Sequence, residues 1–287
     1  MAKKTTTTTK NEIERFQSWL ATDDPLSIAT HLYVDADAVF SAALLSVLKP
    51  EAQVLFVSAD LEIDDSRTLA VDLSKGKRAI KGLDVGSAFG LLVLGMKSID
   101  EPVHRALRRW AQQLNLTDSG KGCRDAVVLA ELVKAWRSIG LGDEGCFERA
   151  KELISGKINS ERSDSKQKHL AKSVKIQNDV AVIDDGSKIR AAHIFKQGAK
   201  VLVRESDVGH SIMISRQLVR KGINLTELAP LLEEKGWFVH PVGFIACYGS
   251  VKAPKNFIES GLTLQEIVLL VSTWLLSHSK TGSVQAN

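Results

Sequence analysis

The sequence predicts an α/β protein of two domains, with a mainly parallel sheet flanked by helices in the first and a smaller α+β fold in the second. Strand-like and helix-like hydrophobic spacings alternate at first, a charged polar stretch interrupts them, and short strand-like runs follow. We therefore expect a disordered tail over 1–10, an α/β domain over 11–155, a charged linker region over 156–175 and an α+β domain over 176–287.

The first domain is predicted to alternate between strands and helices, an order that is typical of a parallel sheet. Its first helix is indicated by Ile13, Phe16 and Trp19, which share one helical face. The predicted strands are 27–34, 52–58 and 67–74, and the predicted helices are 11–22, 39–50, 86–96, 102–114, 124–140 and 146–154.

The second domain is predicted to open with a β-hairpin over 180–195, because Asp185-Gly186 is a favoured tight-turn pair. Asp184 and Asp185 are then turn residues rather than metal ligands. The further predicted strands are 199–206, 210–215 and part of 237–249, and the predicted helices are 225–236 and 262–276.

Composition narrows the classes of protein to which the chain can belong. A hydrophobic fraction of 44% with 25% charged residues is a normal globular balance. The N-terminal segment has no apolar stretch that would serve as a secretory signal, so we expect a cytoplasmic protein. The most apolar run, 267–276, is shorter than the roughly 20 residues of a membrane-spanning helix, so no membrane contact is expected.

The cysteines and the net charge do not identify a binding partner for this chain. Cys123, Cys146 and Cys247 have no CxxC spacing, which argues against a disulfide framework and a zinc site, and we expect them to be small buried side chains. A net charge of +4 permits a nucleic-acid or nucleotide partner without requiring one. A protein partner or a homo-oligomer is also compatible with this composition.

Polar side chains cluster where the first predicted strand ends. His31, Asp35 and Asp37 follow an apolar run and lead into a helix, which is where open α/β sheets hold their ligands. One imidazole and two carboxylates suit a hard cation such as Mn²⁺ or Mg²⁺, which can polarise a phosphate and activate water. The alternative is that Asp35 or Asp37 caps the helix and that His31 is an ordinary core histidine.

Two further aspartates are candidate ligands of the same ion. Asp72 lies where a second apolar strand ends, as a ligand from a neighbouring strand would. Asp118 follows a helix in a glycine-containing loop, where it is either a ligand or a turn residue.

The segment HLYVDADA resembles the first motif of the DHH phosphoesterase superfamily, in which His31, Asp35 and Asp37 would be metal ligands. Asp72 matches the lone aspartate of the second motif of that family, and Asp118 matches a later loop aspartate. The resemblance implies a metal-dependent phosphoesterase with these residues at its catalytic centre.

Two other segments narrow the resemblance within that superfamily. GWFVHPVGFIACYG is similar to a segment of the melanocyte-proliferating-gene type of protein, a metal-dependent hydrolase family described as having RNA exonuclease activity. In that match His240 is the family's C-terminal histidine, which would contact the substrate. DVGSAFGLL, with Ser87 and Ala88, resembles the helix start that follows the third motif of the family.

The Asp-His-His triplet that names the superfamily is missing. It should lie between Asp72 and Ser87, where the sequence is LSKGKRAIKGLDVG and Asp84 is the sole carboxylate. Lys77 and Arg78 stand about where metal ligands are expected, and a cation repels a metal ion at short range. We therefore expect at most one Mn²⁺ or Mg²⁺ ion, or none.

Further basic and aromatic residues are candidate contacts to a phosphate backbone or to bases, and His210 is a candidate site histidine. As solvated helix faces or packed strand residues they need no such role. These residues are Arg105, Arg108, Arg109, Trp110, His210, Arg216, Arg220, Lys221, Trp237 and Phe238.

Two functional hypotheses follow from these patterns. In the first, the chain is a degenerate phosphodiesterase or exonuclease in which His31, Asp35, Asp37 and Asp72 are catalytic, with Asp118 as a further metal ligand. The side chains expected to contact its substrate are His240, Lys77, Arg78 and Arg216. In the second, the chain is a catalytically inactive subunit that binds nucleic acid or helps to assemble a larger complex.

Overall fold

The computed structural model describes residues 6–23, 26–73, 75, 79–122, 125, 128–183, 188–207, 209–249 and 261–281, with side chains up to 278. The chain divides into two compact units, Met1–Ser163 and Asp164–Asn287. The expected combination of a parallel sheet with helices and a second mixed sheet is confirmed.

The first unit contains a small parallel sheet. Its strands are β1 (Ser27–His31), β2 (Gln53–Val57) and β3 (Thr68–Ala70), in the order β2-β1-β3. Both neighbours run parallel to β1, so all three carboxyl ends meet at one edge of the sheet. Strand β1 lies between β2 and β3. A residue that follows β1 can therefore contact residues that follow either of these strands.

Six α-helices begin among the described residues of the first unit, and the most apolar of them are buried on nearly every side. Between Ala36 and Ser46 every residue of the second helix is buried, as expected for a helix that is hydrophobic all round. Phe40 from this helix packs edge-on against Phe89 at 6.1 Å and against Trp110 at 5.8 Å between ring centroids. The helices are α1 (Thr7–Leu20), α2 (Ala36–Leu48), α3 (Ala88–Gly95), α4 (Glu101–Asp118), α5 (Leu129–Ser138) and α6 (Asp143–Ala171).

The second unit is built on a six-stranded mixed sheet in the order β4-β5-β6-β7-β9-β8. Strands β5 and β6 are parallel, and the other neighbouring pairs are antiparallel. The strands are β4 (Ile176–Gln177), β5 (Val180–Ile183), β6 (Val201–Ser206), β7 (Gly209–Ile214), β8 (Phe238–Val239) and β9 (Ile245–Tyr248).

In the described part of this unit four α-helices accompany the sheet, and the longest packs on it through Ile267, Val271 and Trp274. None of the helices among the described residues is long and apolar enough to cross a membrane. The helices are α7 (Ala191–Phe195), α8 (Arg216–Arg220), α9 (Ala229–Glu234, preceded by a 3₁₀ turn over Leu225–Leu228) and α10 (Leu264–Thr281).

The hairpin that opens the second unit lies earlier than predicted. Strands β4 and β5 pair across Asn178 and Asp179, whose φ angles of 49° and 66° are those of a type I′ turn. The segment after β5, predicted as the second hairpin strand, forms α7 instead, and β5 pairs with β6 in parallel. Asp184 and Asp185 lie outside the described residues.

Helices run into the two stretches that were predicted to be a charged linker region and a disordered tail. Helix α6 runs without a break through most of the charged stretch 156–175, as far as Ala171. Its charged residues form ion pairs, with Glu161 2.9 Å from Arg105 and Arg162 2.8 Å from Asp100 beside α4. Helix α1 begins at Thr7, inside the tail predicted to be disordered, because Thr6 caps it by accepting a hydrogen bond from Thr9 N–H.

Candidate metal site at the sheet edge

Three of the predicted ligands lie at the carboxyl edge of the parallel sheet. His31 is the last residue of β1, Asp72 follows β3 after Val71, and Asp35 stands at the start of α2. One ligand atom from each side chain lies within 4.8 Å of the other two. Among the described residues, no other three His, Cys, Asp or Glu side chains converge in this way.

His31 is oriented so that one ring nitrogen faces the carboxylates. Its Nδ1 lies 2.9 Å from the Leu32 carbonyl oxygen, to which an Nδ1–H donates, and its Nε2 lies 3.3 Å from Asp72 Oδ2. Metal-bound histidines commonly donate their second N–H to a carbonyl in this way. The hydrogen bond to Asp72 raises the pKa of His31 to about 9, although partial burial opposes the shift.

Asp72 is held in a backbone conformation that few side chains adopt. Its φ is 53°, in the left-handed region that Asp and Asn tolerate best, and its N–H donates to the Ile80 carbonyl at 2.9 Å. Burial raises the pKa of Asp72, and the charge of Asp35 adds to this rise, whereas the hydrogen bond from His31 lowers it. A carboxylate that is partly buried beside another carboxylate is one that a cation would stabilise.

Asp35 serves as the N-cap of α2. Its Oδ1 accepts a hydrogen bond from Ala38 N–H at 3.0 Å. The capping role considered from the sequence is therefore present, and it does not remove Asp35 from the cluster with His31 and Asp72.

Asp37 has different surroundings, although it is only two residues further along. Its side chain is 2% exposed, its Oδ2 accepts from Ala88 N–H at 2.7 Å and its Oδ1 accepts from Phe89 N–H at 2.8 Å. These N–H groups belong to the first turn of α3, which Ser87 also caps. Burial raises the pKa of Asp37, while the two hydrogen bonds oppose the rise. Asp37 therefore joins α2 to α3 and is not among the three converging ligands.

Asp118 is the last residue of α4 rather than a loop residue. With Asp35 and Asp37 it lines a small cavity of about 130 Å³. Partial burial raises the pKa of Asp118, and the charges of Asp72 and Asp35 raise it further. Asp118 thus lies near the cluster without belonging to it.

The donor atoms at this edge fit a hard divalent cation. One imidazole nitrogen and two carboxylate oxygens face each other, and this mixed set is used for Mn²⁺ and, when oxygen ligands dominate, for Mg²⁺.

The predicted substrate contacts in the second unit are accessible. His240 is half-buried, with its ring 4.3 Å from Phe244 between centroids, and its Nδ1 accepts from Val242 N–H at 3.1 Å. Its Nε2 is then the nitrogen that carries the proton in the neutral ring. Arg216 is exposed and lines a cavity of about 560 Å³ together with Val242 and Phe244. Lys77 and Arg78 lie outside the described residues.

Several of the basic and aromatic candidates have structural partners. Arg109 pairs with Asp125 at 2.7 Å, and His210 lies 3.3 Å from Glu205. Trp237 is buried, whereas Phe238 is 56% exposed.

Two residues close to the cluster have no counterpart among the predicted site residues. Asp143, the first residue of α6, accepts hydrogen bonds from Tyr33 N–H and Val34 N–H, each at 2.9 Å. Arg137 on α5 donates to Asp143 and, at 3.3 Å, to the Val34 carbonyl. The sequence carries no local signal for the contacts with the loop, because they join residues more than 100 positions apart.

No protein-family model matches this sequence, and no curated protein matches it. Among solved structures, RecJ with Mg²⁺ from Thermus thermophilus is 11% identical with a TM-score of 0.32, and the alignment covers 95% of this chain and 52% of RecJ. The chain therefore spans about half of the RecJ chain that it matches.

Two further structures are similar over most of both chains. An exopolyphosphatase-related protein from Bacteroides fragilis is 11% identical with a TM-score of 0.29, over 95% of this chain and 97% of the other. A DHH domain from a member of a ribosomal protein family is 11% identical with a TM-score of 0.30, over 96% and 92%.

Proposed function

We propose that this chain is a degenerate phosphodiesterase of the DHH type that binds one Mn²⁺ or Mg²⁺ ion at the edge of its parallel sheet. The convergence of His31, Asp35 and Asp72 within 4.8 Å is the observation that carries the proposal. The motif HLYVDADA and the lone Asp72 support the DHH assignment, because both follow strands of one parallel sheet.

The side chains at the edge have separate tasks in this proposal. His31 Nε2 and one oxygen each of Asp35 and Asp72 hold the ion, and the Leu32 carbonyl fixes the tautomer of His31. A bound divalent cation would polarise a phosphate oxygen and lower the pKa of a water molecule. Asp37 keeps α3 against the start of α2.

The substrate class that we propose is a nucleic acid or a nucleotide with a phosphodiester bond. His240 can donate from Nε2 to a phosphate oxygen, and Arg216 offers an exposed guanidinium. From the sequence alone, Lys77 and Arg78 are proposed as further contacts to a phosphate, because their charges stand where the family has metal ligands.

The second candidate function is a catalytically inactive subunit that binds nucleic acid. The missing Asp-His-His triplet favours it, since the sequence between Asp72 and Ser87 offers one carboxylate, Asp84. Asp84 accepts a hydrogen bond from Thr9 at 3.3 Å. The engagement of both Asp37 oxygens with α3 also favours a site that holds fewer ions than a two-metal centre.

Calorimetric titration with Mn²⁺, combined with cleavage assays on short RNA and DNA, tests the proposal. We expect a stoichiometry of one ion, weak cleavage, and loss of both in Asp72→Asn, because Asn keeps the left-handed backbone but removes the charge. Asp64→Asn is the matched control, since Asp64 is an exposed carboxylate of the same unit, between β2 and β3.

The outcomes separate the two candidate functions. One bound ion with cleavage that depends on Asp72 supports the degenerate enzyme. Nucleic-acid binding that is unaffected by Asp72→Asn, with no cleavage by either protein, supports the inactive subunit. Two tight Mn²⁺ sites with rapid cleavage would show that the site is not degenerate.

A further inference from the structure

The loop that carries Asp35 has a defined hydrogen-bond partner for each of its first three amides. Leu32 N–H donates to the Val57 carbonyl at the end of β2, at 2.7 Å. Tyr33 N–H donates to Asp143 Oδ2 and Val34 N–H donates to Asp143 Oδ1, each at 2.9 Å. A single carboxylate therefore receives two consecutive amides of this loop.

Arg137 completes the arrangement from the last turn of α5. Its Nη2 donates to Asp143 Oδ1 and to the Val34 carbonyl, which belongs to the peptide bond that links Val34 to Asp35. Its guanidinium carbon also lies 4.5 Å from the centroid of the Tyr33 ring. The peptide group immediately before Asp35 is thus held by a side chain from another helix.

Both charged groups are largely shielded from water. The side chains of Arg137 and Asp143 are 19% and 18% exposed, so their ion pair is stronger than one on the open surface. Burial tends to raise the pKa of Asp143, but the hydrogen bonds from Arg137, Tyr33 and Val34 outweigh it and leave the pKa below its ordinary value. Asp143 is therefore ionised at neutral pH.

The loop needs such support because its conformation is unfavourable by itself. Tyr33 has a φ of 56°, in the left-handed region, which a non-glycine residue keeps only where its surroundings enforce it. Asp143 bonds the amides on both sides of the Cα of this strained residue. These two hydrogen bonds hold the backbone of Tyr33 two residues before Asp35.

We propose that Asp143 and Arg137 are positioning residues of the metal site, which act by fixing the loop 32–35 so that Asp35 stays beside His31 and Asp72. This inference rests on the proposed function, because it concerns the same ion. Neither residue touches the ion. Asp143 acts through the N–H groups of Tyr33 and Val34, and Arg137 acts through the Val34 carbonyl.

The test is the Mn²⁺ dissociation constant of the full chain, measured by electron paramagnetic resonance for the wild type, Asp143→Asn and Arg137→Lys. Asn offers one acceptor oxygen to the two amides. Lys lacks the planar guanidinium whose Nη2 donates to both Val34 and Asp143 and whose carbon lies over the Tyr33 ring. We expect each variant to weaken Mn²⁺ binding about 10–100-fold, as loss of an outer-shell partner commonly does. Asp64→Asn should leave the affinity unchanged.

A purely structural role would have a different signature. It would lower the midpoint of urea unfolding while the folded variants bound Mn²⁺ with the wild-type affinity, and this result would overturn the proposal. Arg137→Lys keeps the charge, so it provides the comparison if Asp143→Asn fails to fold. If the wild type binds no Mn²⁺, the proposed function fails and this inference fails with it. If the wild type binds and both variants match it, the inference alone fails.

Discussion

Asp35 and Asp37 are two residues apart, and their carboxylates have opposite surroundings. Asp35 is exposed and accepts one hydrogen bond, from Ala38 N–H. Asp37 is buried and accepts two, from the first turn of α3. Substitution by asparagine should therefore affect different properties at the two positions.

We expect Asp35→Asn to change the free energy of unfolding by less than about 0.5 kcal/mol, because Asn caps helices as well as Asp does. Its Mn²⁺ affinity should nevertheless fall at least about tenfold. Asp37→Asn should lower the free energy of unfolding by about 1–3 kcal/mol, because its NH₂ group would face a buried N–H of α3 and leave it unpaired. Urea unfolding and Mn²⁺ titration measure the two quantities.

Equal loss of stability in both variants would contradict this division of roles. Asp64→Asn serves again as the control for removing one negative charge from the unit.

The sequence predicted that His31, Asp35, Asp37 and Asp72 lie near one another, because parallel strands place their carboxyl ends at one edge. It could not separate Asp37 from Asp35. That distinction depends on where the first turn of α3 packs, which local patterns do not encode. The contacts of Asp143 were unpredictable for the same reason, since they depend on how α6 meets the loop after β1.

At the scale of elements, the path of the chain from Gly82 to Ser87, just before α3, depends on the backbone conformation of Gly82. Its φ is 62°, and a Cβ at this position would lie 2.0 Å from the Ser87 carbonyl oxygen. Ser87 caps α3, whose first amides bind Asp37. A side chain at position 82 would therefore push the N-terminus of α3 away from α2.

Gly82→Ala should lower the free energy of unfolding by about 1–3 kcal/mol more than Gly120→Ala does. Gly120 also has a positive φ, of 71°, but a Cβ there meets nothing within 4 Å. The pair therefore separates the clash from the cost of the left-handed backbone. Urea midpoints with unchanged slopes measure the difference, and equal midpoints would show that the backbone absorbs the contact.

The helices and strands were predictable where hydrophobic periodicity was long and were missed where it was short. α10 and the strands around β1 follow their patterns. The five residues of α7 are too few for a helical period to show, so the strand-like composition of 189–195 was misleading. The β4–β5 turn uses Asn178 and Asp179, which adopt positive φ without glycine.

At the scale of the whole molecule, each unit has its own hydrophobic core. Phe16, Phe40 and Phe89 lie in the core of the first unit. Trp237 and Tyr248 lie in a hydrophobic core of the second unit. The proposed ion binds residues of the first unit alone, so it should stabilise that unit by mass action.

We expect free Mn²⁺ at about 100 times its dissociation constant to stabilise the first unit by about 2.7 kcal/mol. This corresponds to a rise of about 5–10 °C in the melting temperature of a domain of this size. Differential scanning calorimetry measures the shift, which should be absent in Asp72→Asn and after chelation of the metal. An equal shift in Asp72→Asn would place the ion elsewhere.

Helix α6 determines where the gene can be divided. A fragment that ends at residue 155 would lack Glu161 and Arg162, and the α4 region would lose the ion pairs of Arg105 and Asp100 with them. A fragment that begins at residue 176 would lack Asp164, which accepts a hydrogen bond from Arg190 at 2.7 Å. Separate expression of the two halves therefore requires a division between Arg162 and Asp164, so that each product keeps these charge partners.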